Sequence, residues 1–399
     1  MSKRLQVNRV ALAAIRSSSL VLSLFLFMAT VAWTANAAPP QIVTFDPPGA
    51  IATVPVGLTL TGTVVGYYFD GNFVAHGFLR TPSGQFTSFD APGAGASYYY
   101  INGNFDGTFP LGTGPLGTVV GYYNDANDVS HCFIRTPNGE MTTFDAPGAD
   151  TNPADHAGSQ LNGISPLGLA VGLYTDSNFV AHGFVRKADG HFTSFDAAPG
   201  AIVTYPNGPV NAEGSVVGFY LDSTFLFHGF VRSPDGKIAT FVGPGSCDTG
   251  TPSNCYGTGD LNINIFGWSV GAFQDDNFVH HAFLRSPDGK ITVFDAPGAG
   301  DSGSHEGTVF SVNFTPNGNE VAGLNDLGMV AATYLDANNV YHGFLRTPDG
   351  KFTSFDAPGA DLTPGDLNGT FPFAVNDLGV VTGIYTDANY LPHGFLREP

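Results

Sequence analysis

The sequence predicts an all-β protein, and three observations favour this class. Gly and Pro are abundant, with 52 and 28 among 399 residues, and both destabilise the interior of a helix. The chain also has 34 Phe and 15 Tyr, large apolar side chains that disordered segments lack. The third observation is a motif that recurs, at a mean spacing of about 53 residues, over most of the chain.

The repeated motif is His-Gly-Phe-x-Arg, with Cys or Ala in place of Gly in one copy each. We number the repeats 1 to 7 by their motif histidines, which are His76, His131, His182, His228, His281, His342 and His393. A valine-rich segment, such as Val-Val-Gly-Tyr-Tyr at 64–68, precedes each copy, and a segment such as Phe-Thr-Ser-Phe-Asp follows each of the first six. A repeat of 40–50 residues is typical of propeller blades.

Two spacings inside the repeat are constant. The interval from Gly66 to His76 recurs before every motif histidine, with Gly at its start in six copies and Ala332 in the other. The interval from His76 to the closing aspartate, Asp90, recurs in five copies, while Val242 takes the place of the aspartate in repeat 4. In a hairpin, the length of the turn determines which residues of the two strands pair. These constant spacings therefore indicate three strands joined by two turns of fixed length. The insertions fall in the connection to the next repeat.

A fourth short strand fits before each of these segments, as at 371–375. At the N-terminus, Ile-Val-Thr-Phe-Asp (42–46) is a closing strand with no motif before it, and the chain ends just after the last motif. We therefore expect a seven-bladed β-propeller with four antiparallel strands per blade, closed by the N-terminal strand joining the last blade. This closure would hide two sheet edges. On this prediction residues 38–399 form a single propeller domain.

Residues 1–37 have the pattern of a secretory signal peptide. Four basic residues precede an apolar run at 20–33, and the small residues Ala35 and Ala37 precede the predicted cleavage point. The apolar run is shorter than the ~20 residues that a membrane span needs. Cleavage leaves 11 Lys and Arg against 34 acidic residues. We expect an acidic protein without a membrane span, located in the periplasm or outside the cell.

The repeats resemble the bacterial extracellular HAF-repeat family, named for a His-Ala-Phe core. That core stands literally at 281–283, as His-Gly-Phe in five copies and as His-Cys-Phe at 131–133. The resemblance covers essentially all of residues 41–399 and departs mainly by Gly for Ala. It implies an exported repeat protein and supplies no catalytic residues.

A residue that every repeat requires is expected to have a structural role. We assign this role to the repeated His, Arg and Asp, represented by His76, Arg80, Asp90, His342, Arg346 and Asp356. The arginine and the closing aspartate lie on strands that pair as a hairpin. We therefore expect ionic or hydrogen-bonded contacts of these residues within or between blades.

Residues that break the repeat are the candidates for ligand binding. Most lie in the connections between repeats, and one is the only Trp outside the leader; they are Tyr98, Tyr99, Tyr100, Asp155, His156, Trp268, His305 and Glu306. In a propeller, the inter-blade connections share one face with the turns between the second and third strands. Because loops on a rigid scaffold carry function, this variable face is the predicted site. Its aromatic and acidic residues suit a sugar or a cation.

The cysteines and the turns bear on cofactors. Cys247 and Cys255, which are close together in an exported chain, are predicted to form a disulfide, and Cys132 to be a buried free thiol. No metal site is predicted from the cysteine and histidine spacing. The Asp-x-Asn turns resemble calcium loops but lack the full EF-hand pattern, so hydrogen-bonded Asx turns are the favoured interpretation and calcium the alternative.

Three functions remain open. The first is an exported, non-enzymatic scaffold that binds a surface glycan, a matrix component or an envelope protein. The second is a polysaccharide lyase or glycoside hydrolase with loop carboxylates, although the sequence shows no catalytic motif. The third is a purely structural envelope component. Nucleic acid is disfavoured because a chain with 15 basic and 34 acidic residues lacks the basic patches that phosphates need.

Overall fold

The structure is a computed structural model that describes residues 40–97, 105–155, 157–247, 257–301, 306–309, 323–365 and 367–399. Its regular elements are β-strands, and β1 (Ile42–Phe45) is the first. In each sequence repeat we call the strands A, B, C and D in chain order, with the histidine motif in strand C.

The strands of the first four repeats follow one pattern. Repeat 1 contains β2 (Ala52–Leu58), β3 (Val64–Phe69), β4 (Ala75–Arg80) and β5 (Phe86–Phe89). Repeat 2 contains β6 (Gly107–Thr113), β7 (Val119–Asn124), β8 (Ser130–Arg135) and β9 (Met141–Phe144). Repeat 3 contains β10 (Ser159–Ile164), β11 (Ala170–Thr175), β12 (Ala181–Arg186) and β13 (Phe192–Phe195). Repeat 4 contains β14 (Val203–Asn207), β15 (Val216–Leu221), β16 (Phe227–Arg232) and β17 (Ile238–Phe241).

The remaining repeats show two variations. Repeat 5 contains β18 (Thr258–Ile263), β19 (Ser269–Gln274), β20 (His280–Arg285) and β21 (Ile291–Phe294). In repeat 6, the short strands β22 (Gly307–Val309) and β23 (Gly323–Leu324) both pair with β24 (Val330–Leu335), which is followed by β25 (Tyr341–Arg346) and β26 (Phe352–Phe355). Repeat 7 contains β27 (Thr370–Val375), β28 (Val381–Thr386) and β29 (Pro392–Arg397). Strand β1 pairs antiparallel with β29, where strand D stands in the other repeats.

These strands form antiparallel sheets of about four strands each, in an all-β, propeller-like fold. Neighbouring sheets meet where the start of strand C lies parallel to the start of the next strand A. In repeat 1, for example, the Ala75 N–H donates to the Asp106 carbonyl at 3.0 Å, and Ala75 is aligned with Gly107. Gly107 has φ +119°, and a Cβ there would lie 2.1 Å from the Ala75 carbonyl oxygen. The close approach of two sheets therefore requires glycine. In repeat 7 the residue equivalent to Ala75 is Pro392. Because proline has no backbone N–H, it cannot donate the hydrogen bond that Ala75 donates to Asp106.

The parallel contact also fixes which ends of the sheets coincide. The B–C turns and the D–A connections lie at one end, which we call the connection face. The A–B and C–D turns lie at the other end, which we call the turn face. Between them, the motif phenylalanines are fully buried; they are Phe78, Phe133, Phe184, Phe230, Phe283, Phe344 and Phe395.

Candidate functional site

Each motif histidine lies beside acidic side chains at the connection face. His76 Nδ1 is 2.8 Å from Oδ1 of the closing Asp90, and its Nε2 is 3.8 Å from Oδ2 of Asp70 in the B–C turn. The same two contacts recur in repeats 2, 3, 5, 6 and 7. In repeat 7 the closing aspartate is Asp46, which follows β1.

Strand register explains this arrangement. Gly77 is aligned with Phe89 in the hairpin of β4 and β5, so His76 and Asp90, one residue farther out on each strand, face each other. On its other side His76 is aligned with Tyr68, and their rings lie 5.2 Å apart. Repeat 4 has Val242 instead of the closing aspartate, and there His228 approaches Asp222 more closely, at 3.1 Å.

The closing aspartates also contact the next repeat. Thr53 of strand A in repeat 1 donates its hydroxyl to Asp46 at 2.6 Å. Thr308 makes the equivalent contact with Asp295 at 3.2 Å. The carboxylate therefore joins the histidine of one sheet to strand A of the next, which gives the constant spacing a structural explanation.

The hydrogen bonds shift the protonation equilibria. Hydrogen bonds to the carboxylates of Asp145, Asp295 and Asp356 raise the pKa of His131, His281 and His342, respectively, above the ordinary value. In the B–C turn of repeat 3, the Val180 N–H and further donors lower the pKa of Asp176 to about 2. These pKa shifts favour the protonated form of His131, His281 and His342 and the ionised form of Asp176.

The prediction of a contact between the motif arginine and the closing aspartate is wrong. Arg80 is aligned with Phe86, at the far end of the hairpin from Asp90. Its guanidinium instead lies 4.8 Å from the centre of the Phe45 ring, a cation–π contact with the adjacent sheet. Each of the other motif arginines lies in the same way over the last phenylalanine of the preceding strand D; the pairs are Arg135–Phe89, Arg186–Phe144, Arg232–Phe195, Arg285–Phe241, Arg346–Phe294 and Arg397–Phe355.

The B–C turns are Asx turns, as the sequence predicts. In repeat 1, Asp70 Oδ1 accepts the N–H groups of Asn72 and Val74 at 2.8 and 2.9 Å. Phe73, which immediately precedes Val74, has a left-handed backbone. The equivalent residue has one in every other repeat; these residues are Asp128, Phe179, Phe225, Phe278, Asn339 and Tyr390.

Five of these seven left-handed positions carry an aromatic side chain, although Asn, Asp and Gly adopt this conformation at lower cost. Four of the five rings are also open to solvent: Phe225 is 70% exposed, Phe179 and Tyr390 are each 64% exposed, and Phe73 is 47% exposed. An aromatic ring is not needed to form the turn, because repeats 2 and 6 form it with Asp128 and Asn339. Sequence analysis missed this feature, although an aromatic residue follows Asp-x-Asn in four of the repeats.

Basic side chains are confined to one of the two faces. Every Lys and Arg from residue 40 to 399 lies at the end of a strand C or in a C–D turn, and so on the turn face. The histidine-bound aspartates of the B–C turns and closing positions all lie on the connection face. In the described residues, the connection face is therefore aromatic and acidic without a compensating Lys or Arg.

The sequence candidates are distributed unevenly. Tyr98, Tyr99, Tyr100, His156 and His305 lie outside the described residues. Asp155 lies at the connection face in a local turn, where its N–H donates to the Asn152 carbonyl at 3.0 Å and its carboxylate accepts the Asn152 side-chain amide.

Two further candidates lie apart from the exposed part of the predicted site. Glu306 is buried, and its carboxylate occupies the space beside Gly300. Trp268 lies on the turn face and not on the variable face, where the sequence analysis grouped it, because it follows strand A and not strand D.

Cys247 is disulfide-bonded, while Cys255 lies outside the described residues. Cys132 is free and buried, as predicted.

The described residues lack two kinds of feature. They contain no group of three or more His, Cys, Asp or Glu positioned to hold a metal ion. In the same residues no helix has the length and hydropathy required to span a membrane.

The fold defines the class of the protein. No protein-family model matches the chain, and no curated protein matches it. Among solved structures, it is similar to the β-propeller domain of the Trilobed protease from Pyrococcus furiosus, with a TM-score of 0.50 and 9% identity over 87% of this chain and 95% of that one. It is also similar to puromycin hydrolase, with a TM-score of 0.51 and 12% identity over 86% of this chain, and it spans about half of that enzyme, 52%.

A fungal lectin from Aleuria aurantia, described as a six-bladed β-propeller, aligns less well. Its TM-score is 0.39, with 10% identity over 81% of this chain and 98% of the lectin. At these identities the similarities show the fold alone, so the chain is an all-β, propeller-like protein and its function must be argued from its own residues.

Proposed function

We propose that this chain is an exported, seven-bladed β-propeller that acts as a binding scaffold for a glycan, which it holds on the connection face. The observation that carries the proposal is the set of aromatic residues with left-handed backbones in the B–C turns. Four of them are exposed and the fifth, Phe278, is half-buried; the exposed ones are Phe73, Phe179, Phe225 and Tyr390. The remainder of each turn is explained by its own hydrogen bonds, but the exposed rings of Phe179, Phe225 and Tyr390 are not.

Several contacts support a ring of seven blades. Strand β1 supplies the fourth strand beside β29, and Asp46 supplies the closing aspartate for His393 at 2.8 Å. The Asn376 side chain of repeat 7 donates to the Thr59 carbonyl of repeat 1 at 3.3 Å. Side chains of repeat 7 also share a hydrophobic cluster with Val54 and Tyr67 of repeat 1. These contacts between the first and last repeats are those that closure requires.

The chemistry of the B–C turns suits sugars. An exposed aromatic ring offers a flat apolar surface against which the C–H face of a pyranose can pack. Beside it, the turn provides carboxylate and amide groups; in repeat 3, for example, the Asn178 amide donates to Asp176 at 3.1 Å. These groups are acceptors and donors for sugar hydroxyls. A neutral or cationic glycan is favoured, because an anionic one would approach an acidic face.

Repetition gives the face its binding strength. Several similar sites on one rigid scaffold bind a polymer with repeated units more tightly than one site does, through a high effective concentration. A catalytic centre, in contrast, needs a particular set of groups at one place. We therefore rank binding above the alternatives of polysaccharide cleavage and of a purely structural envelope role.

The test is a glycan screen on the purified protein that begins at Ala38, with and without calcium. We expect binding of neutral or amino-sugar polysaccharides that is lost in a triple variant, Phe179→Asn, Phe225→Asn and Tyr390→Asn. The matched control replaces Leu116, Leu167 and Leu378, which are exposed on the turn face, with Asn and should bind normally. No glycan binding in the screen would overturn the proposal. Release of shortened products from a bound glycan would favour the enzyme alternative.

Export has a separate test. The secretory pattern at residues 1–37 supports removal of the leader after Ala37. Mass spectrometry of the protein recovered from the periplasm or the medium should give a mature N-terminus at Ala38. Intact protein retained in the cytoplasm would contradict export without affecting the binding proposal.

A further inference from the structure

We propose that the turn face carries a second, separate binding site, which takes a small planar aromatic anion between repeats 5 and 6. The site is a cavity of about 240 Å³. Its walls include Phe266 and Trp268 from repeat 5 and Leu327, Arg346 and Pro348 from repeat 6. This inference does not depend on glycan binding, because no connection-face residue contributes to the cavity.

The aromatic wall is particular to repeat 5. Trp268 is the last residue of the A–B turn, and the other repeats have smaller or aliphatic residues there; these are Thr63, Thr118, Leu169, Ser215, Met329 and Val380. Two positions earlier in the same turn, Phe266 is the only aromatic residue in the seven repeats. Repetition of the fold therefore does not account for this pair.

Hydrogen bonds hold the two walls in place. Asn264 Oδ1 accepts the N–H groups of Phe266 and Trp268 at 3.1 and 3.0 Å. Across the junction, the Asn264 side-chain amide donates to the Asn325 carbonyl at 3.2 Å, and the Ile265 N–H donates to Asp326 at 3.1 Å. Both turns are thus fixed before a ligand arrives, which lowers the entropic cost of binding.

The walls expose more apolar surface than their packing requires. Phe266 is 64% exposed, Trp268 41% and Leu327 60%. Two aromatic rings and an aliphatic side chain that line one cavity favour a flat ring as the occupant. A cavity of this size is below the ~300 Å³ typical of drug-sized ligands, so it fits a ligand of one or two rings.

Arg346 determines the preferred charge of the ligand. Its guanidinium lies 4.7 Å from the centre of the Phe294 ring, and Nη1 is 3.5 Å from the Thr347 carbonyl oxygen. Within the described part of the chain it forms no ion pair, and its buried Nε has no hydrogen-bond partner. A cation with so little compensation, at the wall of an apolar cavity, favours a carboxylate or sulfonate.

Asp326 is the acidic residue among those that line the cavity. Its Oδ1 already accepts the Ile265 N–H. Burial also raises the pKa of this carboxyl group, which disfavours its charged form. It therefore opposes an anion less than an exposed aspartate would.

Naphthalene-2-carboxylate, titrated into the mature protein by calorimetry, is the probe for this site. We expect saturable binding at one site per chain, with a change in the emission of Trp268, which is the only Trp outside the leader. The neutral amide of the probe should bind about tenfold more weakly, since it cannot form a charge-assisted bond with Arg346. Failure of the probe to saturate, or equal affinity for the neutral amide, would overturn the proposal.

Two variants locate the site without disturbing Arg346. Leu327→Ser should weaken the probe about tenfold, because it removes an apolar wall. Leu378→Ser is the matched control, since Leu378 holds the same turn position in repeat 7 and is similarly exposed, at 65% against 60%. Equal affinity of the two variants would contradict the assigned location. Glycan binding should be unchanged in both, which keeps this test separate from that of the connection face.

Discussion

His76 and Asp90 face each other across the hairpin of β4 and β5, with Nδ1 and Oδ1 2.8 Å apart. Their equivalents in repeat 7, His393 and Asp46, are separated by almost the whole chain and lie at the same distance. The histidine forms this hydrogen bond within its own sheet. The aspartate also accepts a hydrogen bond from a hydroxyl group of the next sheet, as Asp46 does from Thr53. These acidic contacts are part of what joins the sheets.

The first prediction concerns pH. The raised pKa of His131, His281 and His342 contributes stability that is fully present below the unfolded value of ~6.5 and is lost as the pH rises through the folded pKa. The lowered pKa of Asp176, about 2, contributes stability above ~3.9 that is lost as the pH falls through the folded value. Thermal unfolding should therefore show a higher Tm at about pH 5.5 than at pH 8 or pH 3.

Asp145→Asn provides the control for this pH dependence. The variant removes the charged acceptor of His131 and should reduce the fall in Tm between mildly acidic and mildly basic pH. An equal fall in the variant and in the parent protein would show that this His–Asp pair does not contribute to it.

The second prediction concerns the motif arginines. Arg135→Gln removes the cation that lies 4.8 Å from the centre of the Phe89 ring and should lower the free energy of unfolding by about 1–2 kcal/mol. Denaturant unfolding measures the change. Lys187→Gln is the control, because Lys187 is exposed in a C–D turn, and it should have little effect. Equal stability of the two variants would argue against the cation–π contact as a link between sheets.

The third prediction concerns the junction glycines. Gly107→Ala places a Cβ against the Ala75 carbonyl and forces alanine to φ +119°, so it should cost about 2–3 kcal/mol. Gly71→Ala is the matched control, because its Cβ would meet no atom within 4 Å. Chemical denaturation of both proteins compares them, and a Gly107→Ala protein as stable as the control would refute the close approach of these strands.

The fourth prediction separates stability from function. Phe225→Gly relieves a left-handed backbone at φ 65° and should raise the free energy of unfolding by about 1 kcal/mol. Leu116→Gly, at an exposed position without a left-handed φ, should not be stabilising. Loss of stability in Phe225→Gly would mean that the ring packs for structural reasons, which would weaken its assignment to binding.

Much of the fold could be predicted because the spacing constrains it directly. The constant interval between the strand B glycine and the histidine, as from Gly66 to His76, corresponds to the alignment of β3 with β4. The constant interval between the histidine and the closing aspartate identifies His76 and Asp90 as cross-strand partners, since both are equally far from the hairpin pair Arg80 and Phe86. The same register aligns Arg80 with Phe86 and not with Asp90, so it also excludes the contact between Arg80 and Asp90 that we expected.

The candidate site was harder to predict, because its main features depend on backbone angles and on spatial neighbours. The sequence Asp-x-Asn-Phe indicates an Asx turn but not that Phe73 or Phe179 adopts a left-handed backbone with an exposed ring. Trp268 stands out by composition, yet its place on the turn face follows from its position after strand A. Its partners Leu327 and Arg346 come from the next repeat, so their proximity is a property of packing between sheets.

The central claim is that the exposed aromatic residues of the B–C turns bind a glycan. The most direct measurement is the Kd of a glycan identified in the screen, determined by calorimetry for the mature protein and for the triple variant Phe179→Asn, Phe225→Asn and Tyr390→Asn. We predict at least about a tenfold loss of affinity, as expected when several stacking contacts are removed, with Tm unchanged or higher. Unchanged affinity in a folded triple variant would contradict the claim.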